Sequence, residues 1–214
     1  MTLERARALL AIARDVSDPA HPLGVRTRAE LRSFVRLSPE GIDLALGEYL
    51  ETSATEEQLT AIFDAAAPAA HAHVLLSANV CTAALRAILL GCAAGERVSV
   101  RPSRRDPVLA QVLVEELSRR LGPAANVRVV RDLSPAPGDV VHAYGSDGAL
   151  AEVERALPAG ARFHGHGTGF GVAAIAEEAD LRAATEALAE DVVVFDQAGC
   201  LSSRIAVVAG GSDR

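Results

Sequence analysis

The chain has 214 residues, enough for one domain or two small ones, and half of them are hydrophobic, chiefly small, with aromatics at 3%. A formal net charge of −7 argues against broad binding to a phosphate backbone, but leaves room for a local basic pocket around one nucleotide. Cys81, Cys92 and Cys200 are an odd set without framework spacing, which predicts free thiols in a reducing, cytoplasmic compartment and no zinc motif.

Residues 1–68 predict helices. Leu3, Ala6, Leu9, Leu10 and Ile12 form a helical stripe, and the charges spread along this segment make it neither a signal peptide nor a membrane span. Thr27-Arg-Ala-Glu30 has the form of a capping box, Ser38-Pro39-Glu40 opens a further helix, and residues 17–24 read as a connector. The pattern changes across residues 66–70. Beyond it come a strand over 73–77, a helix over 82–94, a strand over 97–101 and a helix over 106–121. Strands over 127–130 and 139–143, a helix over 146–157, strands over 162–163 and 171–175, a helix over 179–189 and a strand over 192–195 follow. This alternation predicts an α/β fold: a mostly parallel, Rossmann-like sheet with helices on both faces, preceded by a helical amino-terminal segment. In such sheets ligands bind beyond the carboxyl ends of the strands, so the loops there are the candidates for chemistry.

The first such loop is Ser77-Ala-Asn79-Val-Cys-Thr82. An amide at a strand-to-helix turn can donate to a developing oxyanion, although Asn79 or Thr82 as a helix cap is a sufficient alternative. Arg101-Pro-Ser103-Arg104-Arg105-Asp106 concentrates positive charge in an acidic chain, which suits a ribose and its phosphate; arginines paired with Asp106 are the plainer reading. Gly145-Ser146 can present backbone N–H groups to a phosphate, or Ser146 and Asp147 can simply cap the helix. His164-Gly-His166-Gly167-Thr168-Gly169-Phe-Gly171 has glycines at alternate positions, which predicts unusual dihedrals or close approach of backbone to a ligand. Its two histidines could hold a metal, but no third ligand accompanies them, so none is expected. Cys200 lies among Gln197, Gly199, Ser202 and Ser203 between two β-branched runs, where a thiol can act as a nucleophile; Cys92 reads as a small core hydrophobe and Cys81 as packing at a helix start.

In this order the segments resemble the aldehyde dehydrogenase superfamily, and within it the acyl-CoA reductase branch that includes the reductase of the bacterial bioluminescence fatty-acid reductase. The likeness runs from about residue 71 to 208. Ser77-Ala-Asn79 is similar to the segment whose Asn helps form the oxyanion hole, Val100-Arg-Pro-Ser103 to the ribose-contacting Val-Lys-Pro-Ser, and Gly145-Ser146 to the Gly-Ser near the cofactor phosphates. Ala179-Asp180-Leu181 through Gln197-x-x-Cys200 and Arg204 resembles the approach to the catalytic cysteine. Where aldehyde oxidisers carry a Glu-Leu-Gly-Gly segment, residues 164–171 hold no glutamate, which disfavours hydrolysis of a thioester intermediate and favours exchange with another thiol.

The resemblance implies reduction of an acyl-CoA or acyl-carrier thioester to the aldehyde, with Cys200 and Asn79 catalytic. It implies NADPH, with NADH an alternative, held by Ser77, Arg101, Ser103, Arg104, Gly145, Ser146, Gly167, Thr168 and Gly169. The expected organisation is a helical region over 1–68, a nucleotide-binding domain over 69–196, and the cysteine loop with the first strand of a truncated catalytic domain over 197–214. No nucleic acid and no membrane span are expected, while a homo-oligomer or a partner subunit would complete the catalytic domain. The alternative is a non-catalytic nucleotide-binding module, or half of a split enzyme.

Overall fold

A computed structural model describes residues 2–78, 80–197, 199 and 202–210. They fall into two units, Met1–Gly167 and Thr168–Arg214.

The first unit begins with helices α1 (Thr2–Ser17), α2 (Pro22–Leu31), α3 (Pro39–Gly47) and α4 (Glu56–Ala65). Three of them start where short polar side chains or proline can meet the otherwise unbonded first-turn N–H groups. Ser38 caps α3 ahead of Pro39, as expected, and Thr55 with Gln58 forms a full capping box on α4. Thr27 does not cap anything. Helix α2 starts earlier, with His21 as its cap and Pro22 in its first turn, so Thr27 lies inside it and donates its hydroxyl to Leu23 O. The connector is therefore shorter than residues 17–24. Buried Arg28 joins three helices by bonding Val16 O, Ser17 O and the Asp43 carboxylate.

Strands β1 (Ala69–Leu75), β2 (Gly95–Arg101), β3 (Val127–Val129), β4 (Val140–Tyr144) and β5 (Arg162–His166) form one fully parallel sheet in the order β3-β2-β1-β4-β5. Helices α5 (Ala83–Ala94), α6 (Val108–Leu121) and α7 (Asp147–Ala156) make the connections. The path β1-α5-β2-α6-β3 runs toward one edge and β4-α7-β5 toward the other. Right-handed crossovers then place α5 and α6 on one face and α7 on the opposite one. Contacts agree: a Cβ on Gly91 of α5 would meet Val74 and Val98, while one on Gly165 would meet Leu150 of α7. Helices α1 and α2 pack on the α5 and α6 side, burying Leu9, Ile12, Leu113 and Leu117 completely. Buried Arg5 reaches from α1 to Cys92 O, Gly95 O and Glu96 O, where α5 passes into β2 without a loop.

The second unit is a small βαβ motif: β6 (Gly171–Ile175), α8 (Leu181–Val193) and β7 (Ser203–Val208), with β6 and β7 parallel. Asp180 caps α8 by accepting from the Arg182 and Ala183 N–H groups. The strand expected over 192–195 is absent. α8 continues through Val193 into a 3-10 turn over Val194–Gln197, and the valine run has no neighbouring strand with which to pair. Among the described residues no helix is long and apolar enough to cross a membrane.

Candidate functional site

The order of the sheet reverses direction between β1 and β4, and in sheets of this kind ligands bind beyond the carboxyl ends of the strands at such a point. Ser77 follows β1 and is half-buried at that end. Asn79 lies outside the described residues, so its part as oxyanion donor or cap is a matter for chemistry. Thr82 stands at the start of α5 but makes no side-chain cap bond.

After β2 the chain turns tightly. Arg101 O accepts from Leu76 N–H, Ser103 O accepts from Asp106 N–H, and Ser103 Oγ accepts from Arg105 N–H. Arg104 and Arg105 are exposed and Arg101 is half-buried. The plainer reading, in which they pair with Asp106, does not hold: among the described residues no ion pair joins them. Asp106 is buried instead, with Oδ1 unpartnered, and burial pushes its carboxyl up to about 6.

At the end of β4, Ser146 caps α7 by accepting from Ala149 N–H at 3.4 Å, and Gly145 N–H donates to His166 O at 3.2 Å. Asp147 brings a carboxylate into the first turn of α7, beside Gly167, where a Cβ would come within 2.7 Å of Asp147 Oδ1. Gly167 is thus a point of close approach, but to a protein carboxylate. The expected unusual dihedrals are not found: Gly165, Gly167, Gly169 and Gly171 are not among the glycines with positive φ. Thr168 and Gly169 belong to the second unit.

Sequence reasoning missed the row of rings on β4 and β5. Register sets His142 opposite both Val74 and His164, and Tyr144 opposite His166, so all four rings stand on the α5 face. His142 stacks on His164 at 4.9 Å and Tyr144 on His166 at 4.3 Å between centroids. Burial, then the nearby His164 and His166, lowers the His142 imidazole to about 4; burial likewise raises the Tyr144 hydroxyl to about 12. His142 and Tyr144 are therefore neutral at physiological pH. The detectable signal was the period of two shared by His142-x-Tyr144 and His164-x-His166.

The thiols separate clearly. Burial, reinforced by Asp106, raises Cys81 to about 12, and burial raises Cys92 to about 11. Neither supplies a thiolate at neutral pH. Cys200 lies outside the described residues. On its flanks, Phe195 and Gln197 hold positive φ of 57° and 59°, a conformation that costs non-glycine residues energy, and Ser202 N–H donates to Gly199 O.

Solved structures share this fold at low identity. A salicylaldehyde dehydrogenase from Pseudomonas putida G7, complexed with salicylaldehyde, matches with TM-score 0.73 at 16% identity, over 97% of this chain and 48% of its own. PnpE in complex with nicotinamide adenine dinucleotide gives 0.74 at 14%, over 97% and 47%. A propionaldehyde dehydrogenase from the Clostridium phytofermentans fucose utilisation microcompartment gives 0.67 at 15%, over 97% and 52%. The chain spans about half the length of the structures it matches. No curated protein matches. The family model described as acyl-CoA reductase (LuxC) matches residues 42–213, from the third helix through the sheet to the segment that carries Cys200. The chain therefore belongs to the acyl-CoA reductase (LuxC) family.

Proposed function

We propose that this chain carries the cofactor-binding and nucleophile-bearing half of an NAD(P)H-dependent thioester reductase that converts an acyl-CoA or acyl-carrier thioester to its aldehyde. Membership of the acyl-CoA reductase family, with Cys81 and Cys92 both buried and held protonated, is the observation that carries it. It leaves Cys200 as the sulfur for the chemistry.

In this reading the Cys200 thiolate attacks the thioester carbonyl, the carbon–sulfur bond to coenzyme A breaks, and the coenzyme leaves as a thiol or thiolate. Asn79 and a backbone N–H at Cys200 stabilise the oxyanion in each tetrahedral stage. A nicotinamide cofactor supplies the hydride that reduces the acyl-enzyme. Expulsion of Cys200 as thiolate then frees the aldehyde and restores the enzyme.

The first unit offers groups that fit a dinucleotide. Ser77, Ser103, and Gly145 with Ser146 follow the carboxyl ends of β1, β2 and β4, while among the described residues Arg101 and Arg104 have no ion-pair partner. That uncommitted charge favours NADPH over NADH through the extra phosphate. Asp147 sets a limit: a carboxylate already stands at the α7 N-terminus, so a phosphate there would meet like charge. Gly167, Thr168 and Gly169 are further cofactor-binding candidates in this reading, on the strength of their glycine-rich sequence. Asp180 caps α8 and so fixes the start of the helix that leads to Cys200.

A second reading is a nucleotide-binding module without catalysis of its own, or half of a split enzyme whose partner subunit supplies the remaining acyl pocket. One experiment separates the two. The chain is incubated with a panel of acyl-CoA thioesters and weighed intact by mass spectrometry, beside a titration with NADPH and NADH. A mass increase equal to one acyl group, lost in Cys200→Ala, supports the reductase. NADPH binding without acylation by any member of the panel supports the module.

A further inference from the structure

His71 and His73 are two apart on β1, so both side chains leave the same face of the sheet, the one opposite α5. The segment of residues 130–139 runs from β3 back to the start of β4, and it ends on Asp139. There side chains from two distant parts of the chain converge. His73 Nε2 lies 3.0 Å from Asp139 Oδ2, and His71 Nδ1 lies 3.9 Å from the same oxygen. One ligand atom from each residue can be chosen so that all lie within 4.8 Å of one another.

We propose that His71 Nδ1, His73 Nε2 and Asp139 Oδ2 form a binding site for a Zn2+-class divalent metal ion, with a fourth position for water. Tetrahedral zinc, with bonds near 2.0–2.1 Å, sets its ligand atoms roughly 3.3 Å apart. The separations of 3.0 and 3.9 Å bracket that figure, so an ion needs only sub-ångström adjustment along these edges. The donor set, two imidazoles and a carboxylate, is the borderline nitrogen and oxygen chemistry that zinc accepts.

Outer contacts hold two of the ligands in the required orientation. His71 Nε2 lies 2.9 Å from Ser99 Oγ, which points Nδ1 inward, and Ala136 N–H donates to Asp139 Oδ2 at 2.9 Å. His73 is 1% exposed and turns Nε2 toward Asp139 Oδ2, so its proposed metal-binding nitrogen already faces the carboxylate ligand. His71 is the more open of the two histidines, so water can complete the sphere from its side. The site lies away from the carboxyl-end loops. Its effect is to fasten the β3–β4 connection to β1, independently of whether the chain reduces thioesters.

The test uses tag-free full chain in a Cys200→Ala background, which removes the one thiol that is not buried in the described core. After stripping with a chelator, Zn2+ is titrated in competition with a chromophoric chelator, and Co2+ is followed by its visible absorption. One ion per chain with tetrahedral Co2+ absorption is expected. His71→Gln should weaken binding by more than the roughly 10–100-fold that loss of even an outer-shell partner costs. His164→Gln, which removes a histidine from the other His-x-His pair, should change nothing. Circular dichroism in the presence of chelator confirms that the variants fold. No stoichiometric binding by the parent, unchanged affinity in His71→Gln, or loss in His164→Gln would overturn the proposal.

Discussion

Replacing Asp106 by asparagine should stabilise the protein at neutral pH and lose that advantage toward pH 4. Asp106 precedes α6, is buried, and keeps Oδ1 unpartnered; burial alone lifts its carboxyl from 3.8 to about 6. The folded pKa is the higher one, so the folded state holds the proton more tightly than the unfolded chain. Below about pH 4 both states are protonated and the group costs nothing. Stability then falls as pH rises through the window between 3.8 and about 6, and stays lowered above it. At about 1.36 kcal/mol for each pKa unit, the penalty at neutral pH is on the order of 3 kcal/mol. An asparagine side chain would be neutral at every pH, while its amide still needs partners, so the net gain should be about 1–3 kcal/mol at pH 7. Urea unfolding of both proteins at intervals from pH 4 to 8 measures it. The difference should shrink toward zero at the acid end. Parallel stability profiles, or a variant less stable than the parent at pH 7, would refute the argument that burial dominates at this position.

Two further outcomes follow from the packing and the thiols. Gly91→Ala would place a Cβ 2.7 Å from Val74 and 3.0 Å from Val98, pushing α5 off the sheet; a loss of about 1–3 kcal/mol in denaturant unfolding is expected, and a neutral effect would mean the helix can shift without cost. In the native chain a disulfide reagent should modify one thiol quickly, and Cys200→Ala should leave no fast-reacting thiol, because Cys81 and Cys92 are buried; rapid labelling of the variant would show that one of these is more open than described.

The alternation of elements was legible because apolar runs and glycine or proline breaks carry local information. The five-stranded parallel sheet follows from that alternation, whereas β6 pairs with Ser203–Val208 rather than with a strand at residues 192–195. Local signatures misled where a stronger neighbour competed. Thr27-x-x-Glu30 has a capping pattern, but Pro22 in a first turn starts the helix before it, whereas the same pattern at Thr55 and Gln58 does cap. The valines of residues 192–194 favour a strand, yet they extend a helix that is already propagating. The candidate site divided the same way. Loops at strand ends could be picked out one by one, but the stacking of His142, Tyr144, His164 and His166 depends on the register of two strands. So does the meeting of His73 with Asp139, 66 residues away. Spacing alone draws attention to His164 and His166, whereas the cluster among the described residues joins His71 and His73 to Asp139.

The junction of α5 and β2 bears on how sequences of this kind can drift. Helix ends at Ala94 and strand begins at Gly95, and a Cβ on Gly95 would lie 2.6 Å from both the backbone N and the Cβ of Ala72. Insertions and deletions have no slack to occupy there, since one added residue would rotate the strand and exchange its two faces. Length changes should instead collect between β3 and β4, upstream of Asp139, where the path is irregular and mostly exposed. Related genes would then differ in size beside the proposed clamp while keeping the β1-α5-β2 unit at constant length.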